Sequence, residues 1–184
     1  MVLVDKNPLL FVVVLATIIN GCVLIEKPLN NADFGNITNL YQLEGIYQNL
    51  GERDSDNDMP FYLSYLLIRD FTSVENSSIN AIEIRVAGEG RLSVKALSKD
   101  GLVKEEIYNE GKDFTINSGR IRLKWKIGSA TEGALGPYYE TAYLGLDLRG
   151  EGKYRAGGAF VGIMFVIPIA LFGYEDIRFV KLHD

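Results

Sequence analysis

Histidine and cysteine are nearly absent from this sequence, which has one of each in 184 residues. With a single histidine, His183, the chain cannot build the usual histidine-based catalytic triad or a cluster of histidines around a metal ion. With a single cysteine, Cys22, it cannot form an internal disulfide or a zinc site made of cysteine pairs. We therefore predict no catalytic residues, no metal site and no cofactor, and we expect a protein that is not an enzyme.

An excess of positive charge is absent as well. The chain has 19 lysine and arginine residues against 24 aspartate and glutamate residues, which gives a net charge of −5. Proteins that bind nucleic acids usually have a basic surface, so we expect no nucleic-acid partner. The apolar fraction of 47% is too high for a disordered chain, and the length suffices for one domain with a hydrophobic core.

The N-terminal segment is apolar and short. Lys6 gives it a weakly basic start, and residues 9–19 form an uninterrupted run of mostly apolar residues. The run has the length of a signal-peptide core and is too short to cross a bilayer core of ~30 Å as a helix. It leads into Ile19-Asn20-Gly21-Cys22, where a branched apolar residue stands three positions before the cysteine and a small residue directly before it.

This four-residue pattern resembles the lipobox of bacterial lipoproteins. The resemblance implies that the chain is cut between Gly21 and Cys22, and that the Cys22 sulfur and then the new amino group are acylated. Several acyl chains hold a protein firmly on a membrane, whereas one chain does not. We therefore expect a lipid-anchored protein of the bacterial cell envelope, whose partner through Cys22 is the lipid bilayer. The alternative is an uncleaved anchor helix that buries the cysteine.

The residue after the cysteine bears on the membrane. It is Val23, whereas an aspartate at this position often marks lipoproteins that stay at the inner membrane. In a bacterium with two membranes, the resemblance therefore implies the outer membrane, with the protein facing the periplasm.

The remaining chain divides into two parts. Residues 22–42 contain Pro28 and several asparagines, which favour a tether with one short helical turn near residues 37–42. We therefore assign residues 1–21 to a signal peptide, residues 22–42 to the lipidated cysteine and its tether, and residues 43–184 to a β-barrel domain.

From residue 43 onward, apolar and polar residues alternate with a period close to two. Residues 119–127 show this most clearly, with Ile121, Leu123, Trp125 and Ile127 on one face and basic residues on the other. A strand of this kind covers a core with one face and meets water with the other. Further strands are predicted at residues 43–49, 61–69, 81–86, 92–97, 102–108, 114–116, 138–148 and 175–182.

No helical periodicity of 12 residues or more follows the N-terminal segment. Short strands joined by glycine, asparagine and aspartate turns predict an all-β fold: a single antiparallel meander of about 8–10 strands. We expect a closed or nearly closed barrel, because closure removes exposed sheet edges.

The domain opens on Leu43-Glu44-Gly45-Ile46-Tyr47-Gln48-Asn49 and ends on Ile177-Arg178-Phe179 after an apolar strand. This pattern resembles lipocalin-like, calycin-type bacterial lipoproteins, although Gly45-Ile46-Tyr47 replaces the Gly-x-Trp of true lipocalins. The resemblance implies a binding or scaffolding role, with an apolar small molecule in the barrel or an envelope protein as partner; the ligand-binding residues are unknown. The alternative is a purely structural interaction module, whose barrel is filled by residues such as Ile82, Ile84, Leu123, Trp125 and Phe165.

Residues 156–173 (AGGAFVGIMFVIPIALFG) have no charge over 18 positions. Their length fits a transmembrane segment, which leaves a small integral membrane protein as a further alternative. The glycines and Pro168 favour a buried strand with a turn near Pro168. A third interpretation is a hydrophobic lip that contacts lipid or an apolar ligand.

Two acidic patterns do not support a site. Residues 53–58 alternate carboxylates like the first half of a calcium loop, but Met59 replaces the turn glycine and Tyr65 stands where a glutamate is required. We predict a solvated loop there. Glu105 with Glu106, and Glu140 with Asp147, are each an odd number of positions apart on a strand. Each pair therefore points to opposite faces and cannot act on one substrate.

Overall fold

The structure is a computed structural model that describes residues 22–26, 31–53, 60–124, 134–135, 138–164 and 167–183. The described residues are mainly β, as the period of two predicts. The strands are β1 (Cys22–Glu26), β2 (Gly45–Gln48), β3 (Ala81–Gly88), β4 (Arg91–Ser98), β5 (Gly101–Asn109), β6 (Phe114–Asn117), β7 (Arg120–Leu123), β8 (Ala134–Leu135), β9 (Tyr138–Leu146), β10 (Gly152–Met164), β11 (Ile167–Phe179) and β12 (Lys181–His183).

The helices are short: a 3₁₀ helix at Leu40–Leu43, α1 (Leu63–Leu67) and α2 (Ser73–Ser78). The strand predicted over residues 61–69 is therefore wrong. A short apolar run does not distinguish a strand from one helical turn. Its leucines at positions 63, 66 and 67 have helical spacing, and all three are buried. None of the helices formed by the described residues is long and apolar enough to cross a membrane.

The strands form two sheets. The larger sheet has the order β1-β11-β10-β9-β7-β6, with β8 also paired to β10, and the smaller has the order β12-β2-β3-β4-β5. Neighbouring strands are antiparallel, apart from β1, which runs parallel to β11. Within the described residues these pairings make two sheets and not one closed ring.

The hydrophobic core lies between the two sheets. Ile82 and Ile84 of β3 contribute from the smaller sheet, and Ile121 and Leu123 of β7 contribute from the larger one; all four are buried. The alternation predicted for β3 and for this part of β7 is confirmed. The other inward positions, 125, 127 and 165, lie outside the described residues.

The folded body begins before residue 43. Phe34, Ile37 and Leu40, which the sequence analysis assigns to a tether, are all buried. The Gly35 N–H donates a hydrogen bond of 2.8 Å to the Leu146 carbonyl at the end of β9. The boundary at residue 43 therefore falls inside a packed segment, because the asparagines and glycines of this stretch alternate with apolar residues that the larger sheet covers.

Strands β10 and β11 form a long antiparallel hairpin. Their register runs from Gly152 opposite Phe179 to Met164 opposite Ile167. The uncharged residues 156–173 therefore form two strands joined between Met164 and Ile167, and Pro168 lies within β11. The strand interpretation is confirmed, but burial is not uniform, since Ala156 is buried and Phe172 is 45% exposed.

Candidate functional site

The cysteine predicted for lipidation lies at the edge of the larger sheet. Cys22 is the first residue of β1 and stands opposite Leu171 of β11. Leu171 pairs with Phe160 of β10, which pairs with Tyr138 of β9. Cys22 therefore belongs to one row of residues that crosses four strands. Gly21, on the other side of the predicted cleavage point, lies outside the described residues.

The outer face of the same sheet contains a buried ion cluster that the sequence analysis did not predict. Lys153 and Asp176 have side chains that are 1% and 0% exposed, and the Lys153 Nζ lies 2.6 Å from the Asp176 Oδ1. No described group donates a hydrogen bond to this oxygen, and its contact with Lys153 is an ion pair. We call Asn31, Lys153, Arg155, Tyr174 and Asp176 the Asp176 cluster.

The second carboxylate oxygen of Asp176 accepts three hydrogen bonds. Arg155 donates at 2.8 Å, the Tyr174 hydroxyl at 2.9 Å and the Asn31 amide at 3.3 Å. The Lys153 ammonium also donates to the Asn31 side-chain oxygen. The cluster therefore joins β10 to β11 and fastens the segment around residue 31 to both strands.

The cluster perturbs the acidity of its members. Burial opposes ionisation of Asp176, but the Lys153 ammonium, the Arg155 guanidinium and the Tyr174 hydroxyl outweigh it and lower the pKa of Asp176. Burial and the hydrogen bond to this carboxylate raise the pKa of Tyr174 to about 12. The carboxylate is therefore stable as an anion and the phenol as a neutral donor, an arrangement that suits a structural tie better than proton transfer.

An aromatic ring covers the cluster from the side of residues 31–36. The ring centre of Phe34 lies 5.6 Å from the Lys153 Nζ, and 5.1 Å and 4.5 Å from the guanidinium carbons of Arg155 and Arg120. A cation over a ring face is stabilised by about 0.5–2 kcal/mol, depending on its hydration. A Cβ atom at Gly145 would lie 3.2 Å from the ring, so the absence of a side chain there provides the space.

A second ionic group lies further along β11. Arg178 donates to Glu52 at 3.0 Å and to Glu151 at 3.2 Å, and its Nε lies 3.9 Å from Asp147. Asp147, one of the acids considered for catalysis, is buried and accepts the N–H groups of Arg149 and Glu151. These two hydrogen bonds are typical of a turn residue whose side chain fixes the conformation of the following loop.

The acids at 105 and 106 also have separate local partners. Glu105 accepts a hydrogen bond of 2.6 Å from Ser93, and Glu106 forms an ion pair of 2.9 Å with Lys104. Glu105 and Glu106 are therefore held by different partners. The side chain of Glu140 and the acidic loop 54–59 lie outside what the structure describes.

Two small cavities lie between the sheets. They are bordered by described residues and have volumes of about 10 and 20 Å³, and both are lined by Leu43, Ile84 and Leu144. A water molecule needs about 10–15 Å³ of such space, whereas pockets for small ligands measure roughly 300–1,000 Å³. This part of the core is therefore filled by its own side chains.

The sequence does not predict the Asp176 cluster, because the cluster depends on the register between β10 and β11. Lys153 and Arg155 alternate with apolar residues along β10, and Asp176 and Arg178 do so along β11. This alternation indicates that the charges of each strand share a face. Which charges meet depends on where the hairpin turns, and the uncharged stretch between the strands does not mark that position.

Comparison of the chain with protein-family models, with curated proteins and with solved structures finds no match.

Proposed function

We propose that the protein is a lipid-anchored bacterial envelope protein, attached to the bilayer through acylated Cys22, with a non-enzymatic binding or scaffolding role. The observation that carries this proposal is the position of the only cysteine, directly after Ile19-Asn20-Gly21 and an apolar run of signal-peptide length. Because Val23 and not an aspartate follows the cysteine, we propose that it lies at the outer membrane, facing the periplasm.

Packing favours an interaction module over a carrier of a small apolar ligand. Large side chains, including Tyr47, Phe114, Tyr154 and Phe179, are fully buried in the core. The cavities beside Leu144 are far smaller than a ligand pocket. We therefore propose that the domain binds partners with its surface.

Strand β5 supports this choice. It forms one end of the smaller sheet, and no other strand of the described residues pairs with its outer edge. Leu102, Val103 and Ile107 on this strand are exposed. An exposed apolar edge strand can accept a further strand from another protein, since its backbone groups and side chains are both available. An envelope protein is accordingly the proposed partner.

The closed or nearly closed barrel also remains a proposal. From β2 to β5 each strand pairs with the next one in the chain, and β12 returns to pair with β2. This order supports a nearly closed barrel whose gap lies between β5 and β6, so that the outer edge of β5 stays available to a partner strand.

The anchor is tested by intact mass of the protein extracted from bacterial membranes, beside the Cys22→Ser and Gly21→Ala variants. We expect the mass of residues 22–184 plus two or three acyl chains. Cys22→Ser removes the sulfur that is acylated, so the uncut chain should accumulate. Gly21→Ala keeps a small residue before the cysteine and should be processed normally. An unmodified mass that starts at Met1 in the parent protein would refute the proposal.

A further inference from the structure

We propose that the end of the β10–β11 hairpin is a second membrane contact, which enters the same phospholipid leaflet as the acyl chains on Cys22. The inference deepens the proposed function and rests on it, since it takes the acylated cysteine as the fixed point at the membrane. It adds a protein surface that holds the domain in one orientation on the bilayer.

The first argument is the position of the anchor along the hairpin. Cys22 shares its row with Leu171 of β11, and we call this row the anchor row. Four further rows of the hairpin, from Ala170 to Ile167, lie beyond it. At about 3.3 Å per residue, they extend roughly 13 Å past the anchor row. An acylated Cys22 at the bilayer surface would therefore bring these rows to the lipid, and half of the ~30 Å hydrocarbon core is deep enough to receive them.

The second argument is composition. The hairpin residues beyond the anchor row are all uncharged and are mostly large apolar residues, on β10 (161–164) and on β11 (167–170) alike. Strand β8, which pairs with β10 at Ile163 and Met164, is Ala134-Leu135. The strand residues beyond the anchor row and those of β8 therefore include no ionisable residue type.

The third argument is the order of residue types along the sheet. Moving from the anchor row toward the body, aromatic positions come first: Tyr138, Tyr139 and Phe160 lie in the anchor row or the next one, and Phe172 is 45% exposed. Among the acids, Glu140 of β9 lies two rows from the anchor row, and Glu26 and Glu175 pair four rows from it. Asp176 pairs with Arg155 one row further. Proteins that enter a lipid interface have apolar residues at the greatest depth, aromatic residues at the interface and charged residues toward the water.

The backbone sets the depth. Unpaired N–H and C=O groups are costly in hydrocarbon, so an open sheet edge cannot cross the bilayer. One edge of the hairpin tip is paired with β8, and Pro168 on the other strand has no N–H to satisfy. These features suit an insertion that stays within one leaflet. The acyl chains on Cys22 hold this end of the hairpin at the bilayer. A protein partner could bind it only by displacing the hairpin from the lipid. Lipid is therefore the occupant that we propose.

The test places a tryptophan at Phe172 and measures its contact with lipid in the full-length protein. Trp125→Phe removes the natural tryptophan, and Phe172→Trp then adds a reporter at an exposed aromatic position. The acylated protein is reconstituted into vesicles of phosphatidylethanolamine and phosphatidylglycerol, with or without phosphatidylcholine brominated on its acyl chain. We expect a shift of emission to shorter wavelength and a loss of fluorescence with the brominated lipid.

The matched control is Leu148→Trp in the same Trp125→Phe background. Leu148 is exposed and follows the opposite end of β9, roughly 25 Å from the anchor row. Its fluorescence should not change with the brominated lipid. Circular dichroism of both variants should match the parent protein.

The outcomes separate the two proposals. If intact mass shows acyl chains and the protein binds vesicles but the Phe172→Trp fluorescence is unchanged, the hairpin contact is wrong and the anchor stands. If no acyl chains are found and the Phe172→Trp reporter is quenched, the contact stands and the anchor fails. Equal quenching of both reporters would also overturn the oriented contact.

Discussion

At the scale of single residues, the fold contains an ion pair that water does not reach. Lys153 and Asp176 each lose several kcal/mol of hydration when they are buried, and their mutual attraction and hydrogen bonds offset that loss. Arg155, Tyr174 and Asn31 complete the set of partners around the carboxylate. Removing one charge leaves the other buried and unpaired, so the effect of a substitution here should be large.

We predict that Asp176→Asn lowers the free energy of unfolding by about 3–5 kcal/mol, because the buried Lys153 ammonium loses its counter-ion. Urea denaturation followed by circular dichroism measures the change. Asp33→Asn is the matched control, since the Asp33 side chain is 86% exposed and lies 3.8 Å from Arg155. It should stay within about 0.5 kcal/mol of the parent protein. Equal effects of the two substitutions would show that the cluster is not a structural tie.

The same carboxylate predicts a dependence on pH. The pKa of Asp176 is lowered in the folded protein, so folding favours its ionised form. The stabilisation is complete above the unfolded pKa of about 4 and is lost as the pH falls through that value toward the lowered folded pKa. We expect stability to fall less steeply with acid in Asp176→Asn than in the parent protein. Asp33→Asn should keep the parent slope, and a parent slope in both variants would contradict the prediction.

At the scale of elements, a buried polar network holds the two helices against the end of β2. The Asn49 side chain donates to the carbonyls of Asn76 and Ile79 at 2.9 and 3.0 Å and accepts the Ser64 N–H at 2.7 Å. The Ser64 hydroxyl donates to the Asn76 side chain at 2.6 Å. The network therefore joins α1 and α2 to each other and to the end of β2.

We predict that Asn49→Ala destabilises the protein by about 2–4 kcal/mol, since it leaves two carbonyls and one N–H buried without this partner. Asn80→Ala is the control: Asn80 is exposed, and its backbone bonds to Leu97 and Asn49 are retained. Thermal unfolding of the two variants compares them directly. If the loss at Asn49 is no larger than at Asn80, the network does not hold the helices.

At the scale of the whole molecule, stability depends on the contact between the two sheets. Leu144 of β9 borders both cavities and packs with the core residues of the smaller sheet. The core around Leu144 is close-packed. If the side chain were truncated, the surrounding residues would relax only in part and a larger cavity would remain.

We predict that Leu144→Ala destabilises the protein by about 2–5 kcal/mol and enlarges the cavity between the sheets. Leu148→Ala removes the same atoms from an exposed position and should be within about 0.5 kcal/mol of the parent protein. Guanidinium denaturation measures both. A small loss for Leu144→Ala would indicate that the sheets repack easily, and the argument for a filled core would weaken.

The local pattern of residues is enough to predict where most strands lie and which residues of β3 and β7 face the core. Ile82, Ile84, Ile121 and Leu123 follow from the period of two, because successive side chains of a strand point to opposite faces. The sequence also singled out Cys22, since the pattern around it is local and needs no fold to be read. The lipid anchor itself remains a prediction.

Features that depend on distant partners do not follow from the local pattern and are seen only in the folded chain. The sequence alone does not distinguish a strand from a helix in the run that forms α1, whose helical leucines are buried in the core. Phe34 and Ile37 lie in a segment that the sequence assigns to a tether, and their contact with the larger sheet makes them part of the folded body. The Asp176 cluster and the row that joins Cys22 to the hairpin both depend on the register of β10, β11 and β1. Register is set by turns and packing between segments far apart in the chain, and a local pattern does not contain that information.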